Sequence, residues 1–457
     1  MAGIVAIYGK NLASKNIIYY LAHSMRMLQH RGKAYWKIIV GESGAGAEGS
    51  LPTDETILRI AQKEKLHGSN GIGYLSKRPP PFPSMNSILV AFDGFFVDTE
   101  KLHLHPHIGS ARNSDSLFKI YYIFIQLLIQ RNNPERAVEF LDRHLRGNLM
   151  VKLGDRIYVY RDGTGFKPLV TATNADKSLN IIASENSLRA SLISMEFADV
   201  KPGQLLKMTK EGVLEVVTSG SPMRIMMDPF EFIRESNVVA TVNGKSVYHI
   251  RKNIGREQAN FLSKEPLDVE SAFAEPDYTR PMTLGFSLEY QKYSKVFELT
   301  EGIIKDRYDD SDHMIDFSEQ VSKNKLLTTG RSLKFVMEDF VHGRKIATLQ
   351  GTIQTGSTAR ETIYYLKKAG ARQINVIVSY VPTVDGRQVG LYTQNRDLIA
   401  NKYVGMVSSI NELNRSIATE IGADSLYYNS PSILAKGIGV SENDLWFPEW
   451  VRFLDYK

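Results

Sequence analysis

The sequence predicts two domains in succession: an α+β domain built on antiparallel sheet, then an α/β domain with parallel strands. Three observations carry this. The first half alternates short β-branched runs, glycine punctuation and amphipathic helices, which is how helices packed on antiparallel strands read. Residues 345–378 run strand, hydroxyl-rich loop, helix, strand, the pattern of a crossover between parallel neighbours. A chain of 457 residues also has room for two or three domains with full cores.

Residues 3–8 are apolar and β-branched, a strand that begins almost at the first residue. Such a start is tied into a sheet, because chain ends are otherwise loose. Met1 precedes a small residue, so its removal would leave Ala2 first. An amphipathic helix is expected over 15–29, ending at His30-Arg31-Gly32. Segments 36–41, 71–75 and 87–92 read as strands, and 116–130 and 134–143 as helices with plausible caps. Strands return at 149–153, 156–160, 169–172 and 179–184. Further on, 345–349 and 374–378 are apolar strands. Between them Ile363, Leu366 and Ala369 recur at helical spacing, and Gly370 stands where a glycine cap belongs.

Composition removes whole classes of function. The chain is 43% hydrophobic and 23% charged, as globular proteins are. A net charge of +6 suits an anionic ligand, but Lys and Arg are spread, so no nucleic-acid partner is expected. With no cysteine there is no disulfide, thiolate metal site or cysteine nucleophile. The most apolar run, 120–129, is too short to span a bilayer and contains Gln126, and no leader pattern opens the chain. A cytoplasmic protein with no membrane partner is expected.

The stretch 346–358 holds the clearest chemistry. Backbone N–H groups at a helix start are unpaired, Gly356 lets them approach a ligand closely, and Thr355, Ser357 and Thr358 add hydroxyl donors. Gly351, Gly356, Ser357 and Thr358 nearly fit the nucleotide-triphosphate loop, but Ser357 stands where that motif needs lysine. A phosphoribosyl-binding loop also fits, and so does an ordinary strand-to-helix turn.

Six motifs in register carry a resemblance. Gly3-Ile4-Val5-Ala6-Ile7, Leu28-Gln29-His30-Arg31-Gly32, Gly71-Ile72-Gly73, Ser114-Asp115-Ser116, the run 161–169 and Ala183-Ser184-Glu185-Asn186 follow one another in family order. So do Pro229-Phe230-Glu231, Pro276-Asp277, the run 302–308, the loop itself, and the runs 397–402 and 421–426. The chain resembles the glutamine phosphoribosylpyrophosphate amidotransferase family over nearly its whole length. That resemblance implies a class II glutamine amidotransferase domain over 1–225, with the four-layer αββα N-terminal nucleophile hydrolase fold. It implies a type I phosphoribosyltransferase domain with a mostly parallel sheet over 226–457, ending in a helical and aromatic tail.

The same resemblance shows what is missing. The family's N-terminal cysteine attacks glutamine, and that position is Ala2. The arginine that grips the substrate carboxylate is replaced by Ser76, with Arg78 two residues on. The oxyanion-binding Asn is replaced by Asp93, whose charge would repel the developing anion; Gly94 and Asp115 remain of the glutamine pocket. A dead glutaminase is implied.

In the transferase half the acidic pair reads Gln350 and Gly351, so neither position is charged. The phosphate cradle of Thr352, Thr355, Gly356, Ser357 and Thr358 persists, with Asp277, Lys305 and Arg307 as further ligand-binding positions. Tyr278-Thr279 replaces the usual Ser-Gly and crowds the pyrophosphate side. Beyond Tyr308 the closing loop is acidic, with Asp309, Asp310, Asp312 and His313; a solvated loop is favoured over a cation site. No metal site is expected, and magnesium would enter only alongside a phosphoribosyl ligand.

Three other features read as structural: the alternating His103, His105 and His107, the proline-rich 79–83, and the tail aromatics Trp446, Phe447, Trp450 and Phe453. The functional expectation is a catalytically inactive relative of purine biosynthesis, a regulatory or structural subunit. It would bind a purine nucleotide or phosphoribosylpyrophosphate-like ligand and form homo-oligomers or hetero-oligomers with an active amidophosphoribosyltransferase. Two alternatives stay open: an ammonia-dependent transferase using carboxylates such as Asp277 or Asp309, and a purine nucleotide sensor.

Overall fold

The computed structural model describes residues 2–77, 88–106, 116–220, 223–265, 267–294, 297–305, 334–390 and 393–456. Two compact units result, Met1–Asp228 with Glu235–Val247, and Pro229–Arg234 with Tyr248–Lys457.

In the first unit the order is β1 (Ala2–Gly9), α1 (Ser14–Met27), β2 (Tyr35–Val40), β3 (Ser43–Glu48), α2 (Asp54–Lys63), β4 (Asn70–Ser76) and β5 (Ile88–Phe96). Then come α3 (Ser116–Ile125), α4 (Pro134–His144), β6 (Leu145–Leu153), β7 (Arg156–Arg161), β8 (Val170–Thr173), β9 (Leu179–Ala183), β10 (Glu196–Asp199), β11 (Gln204–Thr209) and β12 (Gly212–Thr218). A short hairpin, β13 (Thr241–Val242) and β14 (Lys245–Ser246), closes the unit.

One antiparallel sheet has the order β10-β8-β9-β1-β4-β2-β3 and the other β12-β11-β7-β6-β5. Strand β1 is buried along its whole length, and its period-two alternation divides its side chains between two cores. Val5 and Ile7 pack with Ile17, Leu21 and Met25 of α1 and Ile57 of α2. Ala2, Ile4, Ala6 and Tyr8 face Ala91, Met150, Val159 and Met208 of the second sheet. The far side of that sheet, through Leu149, Val151 and Tyr158, meets Ile120 and Phe124 of α3 and Val138 and Leu141 of α4. Helix, sheet, sheet, helix is the four-layer αββα arrangement.

The second unit contains α5 (Val247–Leu262), β15 (Ser271–Ala274), α6 (Arg280–Tyr290), β16 (Glu298–Leu299), β17 (Ile303–Lys305) and β18 (Lys334–Val336). It continues with β19 (Lys345–Gln350), α7 (Ser357–Lys368), β20 (Gln373–Val378), α8 (Ile410–Ile421), β21 (Ser425–Tyr428), α9 (Pro431–Ile438) and α10 (Glu449–Phe453). Its sheet, ordered β16-β15-β19-β20-β21, is parallel at every pairing. The crossover expected over 345–378 is β19–α7–β20, and Gly370 adopts φ +83 just past the helix. Phe447, Val451 and Leu454 of the tail are buried while Phe453 is exposed. Among the described residues no helix is long and apolar enough to cross a membrane.

Several elements carried no local sequence signal. Strand β3 reads Ser-Gly-Ala-Gly-Ala-Glu, which lacks the branched side chains that mark strands and is held by its ladder to β2. Helix α2 and strands β10 to β12 likewise lie outside the segments that local pattern predicts. The helix expected over 116–130 ends at Ile125 and continues as a π turn over Gln126–Gln130.

Candidate functional site

Two constellations gather the residues that the sequence singles out. The first surrounds the start of β1. Ala2 is the register partner of Ser76 on β4, while Asp93 and Gly94 on β5 lie opposite Asn148 and Gly147 on β6. The single turn after α1, Gln29–Arg31, points Arg31 into the same place. Arg31, Asp93 and Glu185 have no exposed surface. Arg31 donates from Nη2 to Asp93 Oδ2 at 3.1 Å, from Nη1 to Glu185 Oε2 at 3.0 Å and from Nε to the Ala2 carbonyl at 3.2 Å. Asp93 Oδ1 accepts the Ala2 N–H at 2.8 Å. His30 Nε2 lies 2.9 Å from Glu185 Oε1, and Glu185 also accepts the Asn237 N–H.

Both oxygens of Asp93 are therefore engaged, by a guanidinium and a backbone amide. The methyl of Ala2 offers no nucleophile, and a carboxylate bound this way offers no donor to an oxyanion. Ser76 is buried beside Tyr74. Burial pushes the Tyr74 phenol up to about 12; the nearby Asp93 charge adds to this and a hydrogen bond with Ser76 opposes it. For Glu185 burial pushes upward, but His30 and Arg31 more than offset it and hold the carboxyl below its usual range. Asp115 and Arg78 lie outside the described residues.

The second constellation sits at the carboxyl ends of β15 and β19, where ligands of open parallel sheets bind. A cavity of ≈ 400 Å³ is lined by Gln350, Thr352 to Ala359, Glu275, Asp277, Tyr278, Lys305, Lys334 and Arg234. Helix α7 begins at its edge. Gly356 is the N-cap with φ +78, a left-handed conformation that glycine adopts without strain. A Cβ there would also lie 2.9 Å from Ile399 Cδ1. The loop is braced: the Thr355 and Ser357 hydroxyls are 3.0 Å apart, Thr352 Oγ1 meets Thr383 Oγ1 at 3.0 Å, and Arg360 donates to the Thr355 carbonyl at 3.0 Å.

The two uncharged positions at the end of β19 differ. Gln350 is 4% exposed, and its Nε2 has no hydrogen-bond partner among the described residues. Gly351 lies beneath the Tyr278 ring, so that a Cβ on it would come within 2.1 Å of Tyr278 Cε2. Arg234 stacks over that ring with its guanidinium carbon 5.1 Å from the centroid. Crowding by Tyr278 thus falls on Gly351.

Asp277, Lys305 and the loop line one cavity, together with Glu275, Lys334 and Arg234, which the sequence does not single out. Glu275 and Lys334 form a buried ion pair, and Thr362 donates to the other Glu275 oxygen at 3.2 Å. Lys334 is the register partner of Lys305 across β17 and β18, a pairing with no signal in the local pattern. Arg307 and the acidic run 309–313 lie outside the described residues. His103 bonds the Glu100 carbonyl at 3.1 Å and the His105 ring packs edge-on against Phe140, 5.3 Å between centroids. His107 and the proline run 79–83 also fall outside the described residues.

No protein-family model matches the chain. Among curated proteins it is similar to the amidophosphoribosyltransferase of Methanocaldococcus jannaschii, 24% identical over 485 residues, covering 96% of this chain and 94% of that one. The amidophosphoribosyltransferase of Archaeoglobus fulgidus is 26% identical over 450 residues, covering 94% and 92%. Among solved structures it is similar to the glutamine phosphoribosylpyrophosphate amidotransferase from B. subtilis complexed with ADP and GMP. That match has TM-score 0.73 and 22% identity, and covers 96% of this chain and 92% of the other. An allosteric regulatory enzyme of purine biosynthesis matches with TM-score 0.74 and 21% identity, covering 97% and 94%. The structural matches carry the fold: an N-terminal nucleophile hydrolase domain followed by a type I phosphoribosyltransferase domain.

The buried network makes a testable statement about stability. Arg31→Met leaves Asp93 and Glu185 buried without their cation and should cost about 3–5 kcal/mol in urea unfolding at pH 7. Because the folded Glu185 pKa is depressed, its contribution is present above the unfolded carboxyl value of ~4.3 and is lost as pH falls through the folded value. Stability of Glu185→Gln should accordingly fall less steeply than wild type below about pH 5. Equal acid slopes for the two proteins would contradict this.

Proposed function

The chain belongs to the amidophosphoribosyltransferase family, and we propose that within it this protein is a non-catalytic member that binds a phosphorylated ribose or purine nucleotide. It acts as a regulatory or structural subunit of purine biosynthesis in the cytoplasm, as a homo-oligomer or with an active amidophosphoribosyltransferase. The observation that carries this reading is the contrast inside one cavity. The hydroxyl loop and the α7 N-terminus keep every feature a phosphate needs. The end of the neighbouring strand carries an amide and a ring-covered glycine where the family chemistry calls for two carboxylates.

Loss of glutamine hydrolysis rests on more than the missing sulfur. A thiolate at position 2 would face Asp93, whose place near the chain start is fixed by the Ala2 N–H and Arg31. The developing oxyanion would meet that carboxylate in a dry site, where like charges repel most strongly. Of the carboxylates lining the transferase cavity, Glu275 is committed to Lys334 and Thr362. Asp277 remains at the exposed lip.

Calorimetric titration with AMP, GMP and phosphoribosylpyrophosphate should show binding of at least one of them. Gly356→Asp should weaken it on the order of tenfold or more, since a carboxylate at the helix N-terminus repels phosphate. Unchanged affinity in that variant would remove the loop from the binding site. Turnover of phosphoribosylpyrophosphate with ammonia at a rate near that of active relatives would overturn the non-catalytic reading.

Ala2→Cys, with Met1 removed, should release no glutamate from glutamine above background. A measurable rate would show that Asp93 and Ser76 do not block the chemistry.

A further inference from the structure

Resting on the reading of this cavity as a phosphate site, we infer that its ligand binds without a divalent cation, and that the Gln350 carboxamide contacts a sugar hydroxyl directly. Gln350 closes β19 immediately before the loop and lines the cavity with it. A ribose whose 5′-phosphate lies against Thr355 to Thr358 therefore comes over the end of that strand. The side chain is 4% exposed, and its Nε2 has no partner among the described residues. A buried amide left unpaired costs about 1–3 kcal/mol, which a ligand hydroxyl at the cavity wall would recover. Turning the carboxamide over presents either its N–H₂ or its oxygen to the cavity, so it serves as donor or acceptor without changing shape.

The charges around the cavity fit the same conclusion. Arg234, Lys305 and Lys334 line it against Glu275 and Asp277. Of the two carboxylates, Glu275 is held by Lys334 and Thr362, and Asp277 stands outward near Arg280 at 3.9 Å. Among the described residues no three His, Asp or Glu side chains converge. A phosphate here is neutralised by protein cations and helix amides. The Tyr278 ring, backed by Arg234, occupies the space over Gly351. That ring leaves no room over Gly351 for a hydrated magnesium ion, which keeps several of its waters.

The test is titration with ribose 5-phosphate in EDTA and again in excess magnesium, on wild type and on two variants. Wild-type affinity should be the same in both buffers within about twofold. Gln350→Leu should weaken binding roughly fivefold or more in either buffer, the loss of one neutral hydrogen bond plus an unpaired hydroxyl. Gln350→Glu puts a carboxylate at the strand end and should weaken binding in EDTA and in magnesium alike, because the Tyr278 ring still denies a hydrated ion its place; recovery in magnesium would overturn the inference. Wild-type binding that requires magnesium, or Gln350→Leu binding as wild type does, overturns this inference and leaves the phosphate reading standing. Failure of ribose 5-phosphate, AMP, GMP and phosphoribosylpyrophosphate to bind in either buffer overturns both.

Discussion

The architecture of the first unit turns on one buried guanidinium. Arg31 has no exposed surface and must find acceptors for its donors within the protein. It finds them on three separate pieces of chain: the Ala2 carbonyl on β1, Asp93 on β5, and Glu185 just after β9. Strands β1 and β9 belong to the seven-stranded sheet and β5 to the five-stranded one. The network therefore fastens the two sheets together at the end where a nucleophile would otherwise work. Asp93 is at once a structural anchor and the reason the place is unsuited to an oxyanion, so the chemistry and the packing cannot be altered independently.

The cavity of the second unit obeys different rules because its phosphate donors belong to the backbone. A left-handed glycine, the first turn of α7 and a few small hydroxyls suffice to hold an anion, and these are fixed by the strand-to-helix geometry itself. Carboxylates that order a cation are side chains on two positions and can be exchanged without disturbing the sheet. Here the end of β19 is uncharged and closely covered. The ring of Tyr278 lies where any side chain on residue 351 would have to go, and Arg234 covers the ring in turn. Glycine at 351 and the tyrosine ring at 278 are therefore sterically coupled, although 73 positions separate them in the sequence.

That coupling marks the limit of what the sequence makes legible. The β1 strand, the helices around it and the β19–α7–β20 crossover announce themselves through local periodicity, and the loop through its composition. Motif order singles out Ala2, Ser76, Asp93, Gln350 and Gly351; the first three gather at the start of β1 and the last two close β19. Pairings between distant positions leave no such trace. Lys334 reaches Glu275 across 59 residues, and Arg31 reaches Glu185 across 154; neither has a local pattern to betray it. Strand β3 hides for the opposite reason, since alanine and glycine form it only because β2 supplies the ladder.

Substitution at a catalytic position can fill a site or discharge it, and the two outcomes have different consequences. Around Ala2 the space is closed by ion pairs whose removal would expose uncompensated charge, so the arrangement is costly to dismantle. Around Gln350 the cavity stays open, lined by three cations, two carboxylates and an amide whose Nε2 has no partner among the described residues. A closed site contributes rigidity, whereas an open and cationic one retains affinity for an anion. On the reading proposed above, the protein keeps one input, the concentration of a phosphorylated ligand, on a scaffold that does not consume it.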